Sequence, residues 1–329
     1  MQDFPSNAWT RLVAIGSVAV ACSGQTQKLG ELPPGSSSKG GDSGMSVAAG
    51  GSGLMLNLGG ATSSGGAGPV SDCPPGVRNF IYVMDSWGTL SRFSPTDKAL
   101  TRVGVVRCST ELAGPTLAVD RQGNAYVDYE IGQLDAGTSR PLYEINTEAA
   151  TCAGEIPGFS WLGAMAFASN GATETLYVVT GQDDALGAAN LSTGTVEPIG
   201  PIKAASSSGY HSLTGTGDGR LFDFVVPVGT AQQGEQQIVQ LDPTNASVLS
   251  RFTLPSELGT IQNPTAFWGG KIYIFYQVFA TQLSVDSTTS IAQYDPATNA
   301  FEAEFMSGIT QDITAAAVSS CAPLVDQPK

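Results

Sequence analysis

His211, in the segment "GYHS", is the single imidazole in 329 residues. An imidazole near neutrality is the usual general base and a common metal ligand. One histidine excludes a multi-histidine metal centre, and no Ser–His–acid order can be read around it. Next to Tyr210, its ordinary role is that of a hydrogen-bonded structural residue. Asp312 has the chemistry of a general base or a cation ligand, but it is also a common turn residue. Trp161 can stack on a sugar ring or pack between sheets, and Asn263 offers both a donor and an acceptor. Trp161, Tyr210, His211, Asn263 and Asp312 are therefore candidate ligand-binding residues. No catalytic residue is assigned. No cofactor is expected, although a Ca²⁺ ion held by oxygens at this site is compatible with the residue types.

Other motifs dissolve on inspection. "GTGDG" (Gly215 to Gly219) has the glycines of a phosphate loop, but it sits between two strand patterns and reads as a hairpin turn. Asp120, Asp183 and Asp184 lack EF-hand spacing. The formal net charge is −14. Such a surface repels phosphate backbones and argues against nucleic-acid partners.

The elements that must position these residues begin after a leader. Leu12 to Ala21 is a ten-residue apolar run, too short to span a bilayer and of signal-peptide length. The following "AVAC" resembles a bacterial lipobox, with Cys22 as the residue that becomes lipidated. Residues 22–72 hold that cysteine and a Gly/Ser-rich stretch, with 14 Gly and 10 Ser in residues 23–72. A chain of this kind cannot offset its ordering entropy by burial and is expected to act as a tether spanning roughly 40 Å. The expected organisation is a leader at 1–21, the lipidated tether at 22–72, a folded domain at 73–322 and a tail at 323–329.

The folded part repeats. An aromatic-centred strand recurs at Tyr82, Tyr126, Tyr177, Phe222 and Tyr273. A hairpin pattern follows each one, anchored at Phe93, Ile145, Leu191, Leu241 and Tyr294. Both landmarks keep a period near 50 residues. A third strand with a Gly-containing turn precedes four of the aromatic strands. The missing fifth copy is "TAAAVSS" (Thr314 to Ser320), at the end of the chain. Four-strand repeats of this length predict an all-β propeller, with five blades by count and six if a degenerate copy was missed. The C-terminal strand would complete the first blade and remove an exposed edge.

The cysteines fit this closure. Cys73 precedes the first blade and Cys321 follows the displaced strand, so a Cys73–Cys321 disulfide would lock the ring. On the chain-entropy model so long a loop favours the bridge by on the order of 4–5 kcal/mol. Cys108 and Cys152 remain as the second pair, although four cysteines permit three connectivities. Disulfides suit an exported protein.

"LAVDRQGNAYV" (Leu117 to Val127), "GDGRLF" (Gly217 to Phe222) and "VQLDPTNASV" (Val239 to Val248) resemble the NHL, gluconolactonase-like and YncE-like group of bacterial propellers. The resemblance implies a blade rather than an activity. In such rings the segments entering the innermost strands rim the central channel. Here they contain Thr116, Trp161, Tyr210, His211, Gln262, Asn263, Gln311 and Asp312. The expected function is a membrane-anchored, extracytoplasmic binding or scaffold module for a glycan, peptide or envelope protein. A hydrolase of sugars or lactones is the alternative. The expected location is the cell envelope, at the outer membrane or cell surface.

Overall fold

The computed structural model describes residues 73–108, 114–129, 140–159, 162–169, 173–180, 184–203, 209–227, 236–255, 258, 263–279 and 287–326. All lie in the unit Ser64–Lys329. Cys22, the leader, the tether and Trp161 fall outside the described residues.

Five four-stranded antiparallel sheets form a ring. The first contains β1 (Ile81–Asp85), β2 (Thr89–Ser94) and β3 (Ala99–Val105). The second is β4 (Pro115–Val119), β5 (Asn124–Tyr129), β6 (Arg140–Asn146) and β7 (Thr151–Phe159). The third is β8 (Leu162–Ser169), β9 (Glu174–Thr180), β10 (Ala185–Asn190) and β11 (Thr195–Pro201). The fourth is β12 (Gly209–Gly215), β13 (Leu221–Pro227), β14 (Gln237–Leu241) and β15 (Val248–Thr253). The fifth is β16 (Thr265–Trp268), β17 (Lys271–Phe279), β18 (Ser287–Asp295) and β19 (Ala300–Ile309). The last strand, β20 (Ile313–Ala317), returns to pair with β1 as the inner strand of the first sheet, with Tyr82 opposite Ala317 and Met84 opposite Ala315. The protein is a five-bladed β-propeller closed by its own C-terminal strand.

Each blade is covered on both faces, so its second strand is largely apolar on both sides rather than alternating. In β1 all five residues are buried. The two-residue period sends Ile81 and Val83 into the interface with the fifth blade, and Tyr82 and Met84 into the interface with the second. The sequence landmarks obey the same rule all round the ring. The aromatic of each blade faces the next blade, where it shares a cluster with that blade's hairpin anchor. The pairs are Tyr82 with Ile145, Tyr126 with Leu191, Tyr177 with Leu241, Phe222 with Tyr294, and Tyr273 with Phe93. The last pair spans the seam between the fifth and first blades, its rings edge to face at 6.2 Å.

The hairpins joining the third and outer strands share one turn design. Asn146, Asn190, Asp242 and Asp295 each accept a backbone N–H two residues on, and Ser94 bonds Asp97 in the corresponding turn. Four residues after each of these five sits a left-handed residue: Lys98, Ala150, Gly194, Ala246 and Asn299, with φ between 51° and 67°.

Inner strands carry unpaired backbone groups towards the channel, and neighbouring blades supply partners. Asp128 Oδ2 accepts the N–H of Leu162 at 3.0 Å, Ser212 Oγ that of Thr265 at 2.9 Å, and Thr289 Oγ1 that of Ile313 at 3.1 Å. The ring is tight here. A Cβ at Gly215 of β12 would come within 2.2 Å of the Phe167 carbonyl oxygen of β8.

Beyond β20 the chain crosses the far end of the channel. Cys321 Sγ lies 3.5 Å from the Arg121 carbonyl of the second blade, and the Ser320 hydroxyl donates to Glu174 of the third. A Cβ on Gly217, in the fourth, would meet the Ser320 carbonyl at 2.4 Å. Gly269 of the fifth donates to the Pro323 carbonyl at 2.8 Å. The Cys73–Cys321 disulfide fastens this segment to the start of the first blade, and Cys108–Cys152 staples the outer parts of the first and second blades. Both expected pairings are present. Among the described residues no helix is long and apolar enough to cross a membrane.

Candidate functional site

At the other end of the channel, where the inner strands begin, lies a cavity of about 310 Å³. All five blades contribute to it. Thr116, Leu162, His211, Pro264 and Ala315 stand on or immediately before the five inner strands. Of the candidate ligand-binding residues, Tyr210, His211 and Asn263 line it. Thr116 also lines it, with its hydroxyl buried and unpartnered. Tyr210 is 47% exposed and stands at the mouth, while Asn263 is buried and donates to the Leu258 carbonyl at 3.4 Å.

Asp312 is placed differently. It precedes β20 but is not among the lining residues; its carboxylate accepts the Gln277 amide of β17, and its carbonyl accepts the Ser86 N–H at 3.2 Å. Gln311 likewise faces neighbouring strands, accepting the Thr289 hydroxyl at 2.7 Å through its carbonyl.

The polar centre of the cavity is His211, whose side chain is only 6% exposed. It projects from β12 towards the third blade, on the same face as Asp223 of β13, a diagonal cross-strand neighbour. His211 Nδ1 and Asp223 Oδ2 are 2.7 Å apart. Asp223 is fully buried, and its other oxygen has no hydrogen-bond partner. From the third blade, Asp184 Oδ1 comes within 3.4 Å of His211 Nε2, a charge contact without the alignment of a hydrogen bond. Asp184 holds a left-handed backbone (φ 47°), which Asp tolerates better than most residues, and it too lines the cavity. Burial pushes the imidazole pKa down, but the Asp223 and then the Asp184 carboxylates outweigh it and carry it up to about 9. At neutral pH His211 is therefore an imidazolium. It acts as a fixed positive charge and hydrogen-bond donor rather than a ready base.

Sequence reading missed Asp128 and Asp223, and it set Asp184 aside as an acid without EF-hand spacing. One signal was present. Asp223 interrupts "RLFDFVV", an otherwise apolar strand of the kind buried on both faces, and a carboxylate there requires a partner. The chain's one histidine stands on the adjoining strand. Among the described residues no three His, Cys, Asp or Glu side chains group as a metal-holding set.

No protein-family model matches the sequence, and no curated protein matches it. Among solved structures, the chain is similar to Kuenenia stuttgartiensis hydrazine synthase (12% identity, 69% of this chain and 66% of that one, TM-score 0.37). It is similar to puromycin hydrolase at 11% identity, over 67% of this chain and 34% of that one, with a TM-score of 0.38. A chain of a nidogen/laminin complex matches at 15% identity, over 75% of this chain and 82% of that one, with a TM-score of 0.42. The chain thus spans just under two thirds of the hydrazine synthase chain and about a third of the puromycin hydrolase chain.

Proposed function

We propose that the protein is a binding module whose ligand enters the axial cavity at the mouth bearing Tyr210. The observation that carries this reading is the cavity itself. Five blades converge on one concave space, the tail crosses the channel's far end, and a few polar groups stand out from an apolar lining. That combination is the usual form of a small-ligand site. The two disulfides are those of a chain that folds in an oxidising, extracytoplasmic compartment. The lipobox-like residues ending at Cys22, with the Gly/Ser-rich stretch after them, support a domain tethered to an envelope membrane and presenting its mouth to glycans or peptides.

The test compares the wild-type chain with Thr116→Trp, whose indole would occupy the cavity, on arrays of glycans and peptides. Binding that is present in the wild type and lost in the folded variant supports the reading. Binding that is undiminished contradicts it.

A further inference from the structure

The charge inside the cavity is unbalanced. Asp128 and Asp184 line it and Asp223 stands immediately behind, against one basic group, His211. Among the described residues no Lys or Arg lines the cavity. The acids are not simply a surface cluster. His211 Nε2 is buried without a hydrogen-bond partner, in a side chain that lines the cavity, and Asp184 is held beside it by a left-handed backbone. The remaining lining sets apolar Leu117, Leu162, Met165, Val179 and Phe224 beside the polar side chains of Thr116, Ser212, Asn263 and Thr314. At the mouth the exposed Tyr210 ring presents a negative face. An anion entering this space would meet surplus carboxylates. A neutral sugar would leave much of its hydroxyl set against hydrocarbon.

We propose that the cavity is a site for an organic ammonium, its charge set against Asp184 and its apolar body among Leu117, Leu162, Met165 and Phe224. This rests on the cavity being the binding site and adds the chemical class of its ligand. A metal ion fits the lining less well. Its walls are largely hydrocarbon, and hard cations take six or more oxygens.

His211 is the chain's single histidine, so its ring resonances report directly on this cavity. The full chain is titrated with four probes: 2-phenylethylammonium, 2-phenylethanol, 3-phenylpropionate and CaCl₂. The expected result is a saturable shift of the His211 ring with 2-phenylethylammonium, at least tenfold tighter than with the alcohol and absent with the propionate. Asp184→Asn, which keeps a side chain suited to the left-handed backbone, weakens that binding at least tenfold. If the alcohol or the propionate binds as tightly as the ammonium, or Asp184→Asn leaves affinity unchanged, the cation class is overturned while the cavity stands as a binding site. A shift with CaCl₂ and none with the ammonium overturns it in favour of a metal. No shift with any probe also overturns it, and the array comparison with Thr116→Trp then judges the binding reading separately.

Discussion

Asp223 is fully buried in the interface between the third and fourth blades, where hydrocarbon surrounds it on most sides. Its partner His211 therefore links the fold to pH. The groups facing that imidazole are Asp223 from its own blade and Asp184 from the preceding one. Its pKa rises from an ordinary 6.5 to about 9 in the folded chain. The resulting stabilisation is full below the unfolded value and is lost as pH rises through about 9. A shift of this size corresponds to a few kcal/mol, on the order of 3. Urea midpoints measured from pH 6 to pH 9.5 should fall across the upper part of that range in the wild type. In His211→Gln that fall should be gone; an equal fall in both chains would count against the link. In residue order alone only Asp223, a carboxylate inside an apolar strand, hinted at this. Asp184 meets His211 only through blade packing, and within its own segment it is one of two adjacent loop acids. The same logic separates Asp312 from the cavity. Its place before the inner strand was legible, but the side chain is taken up by Gln277, a partner on another strand.

At the scale of elements the sequence was more transparent, because each blade repeats the same two packing decisions. The aromatic strand and the hairpin anchor were visible as spaced landmarks, and each interface takes one from either side. Their facing directions followed only from the assembled ring. The five hairpins also share a left-handed residue, yet its type varies from Lys to Ala, Gly and Asn. The left-handed backbone costs a side chain about 1–2 kcal/mol, and three blades carry that cost with Lys or Ala. Gly194 differs because the Pro157 carbonyl oxygen of β7 occupies the space its Cβ would need, at 1.9 Å. Gly194→Ala should therefore cost more than the backbone alone demands, about 2 kcal/mol or more, by urea denaturation. A loss under about 1 kcal/mol would mean that β7 yields freely there and that the approach of the two blades is not fixed.

For the whole molecule, one topological fact organises the rest. The chain's last strand lies innermost in its first blade, so the wall of the cavity at Thr314 to Ala316 comes from the C-terminus. The segment after it touches the remaining four blades and is joined to Cys73 across a sequence separation of 248. On the chain-entropy model a bridge over so long a loop stabilises by about 5 kcal/mol, while native-state strain can reduce the realised gain. Closure of the ring and the pair Cys73–Cys321 were legible because a strand without a hairpin partner and a thiol beside it both demanded an explanation. The tail's path across the far end was not, since "SSCAPL" carries no periodicity and its contacts are with turns of distant blades.

A C-terminal strand that merely leaned on the domain would fray, whereas one that closes the ring can open only when the ring does. Native-state hydrogen exchange on the oxidised full chain separates the two most directly. The account predicts that the hydrogen-bonded amides of β20 exchange with the same free energy as those of β5 and β13, through global unfolding alone. Exchange of β20 orders of magnitude faster than those strands, with the rest of the domain still protected, would contradict it.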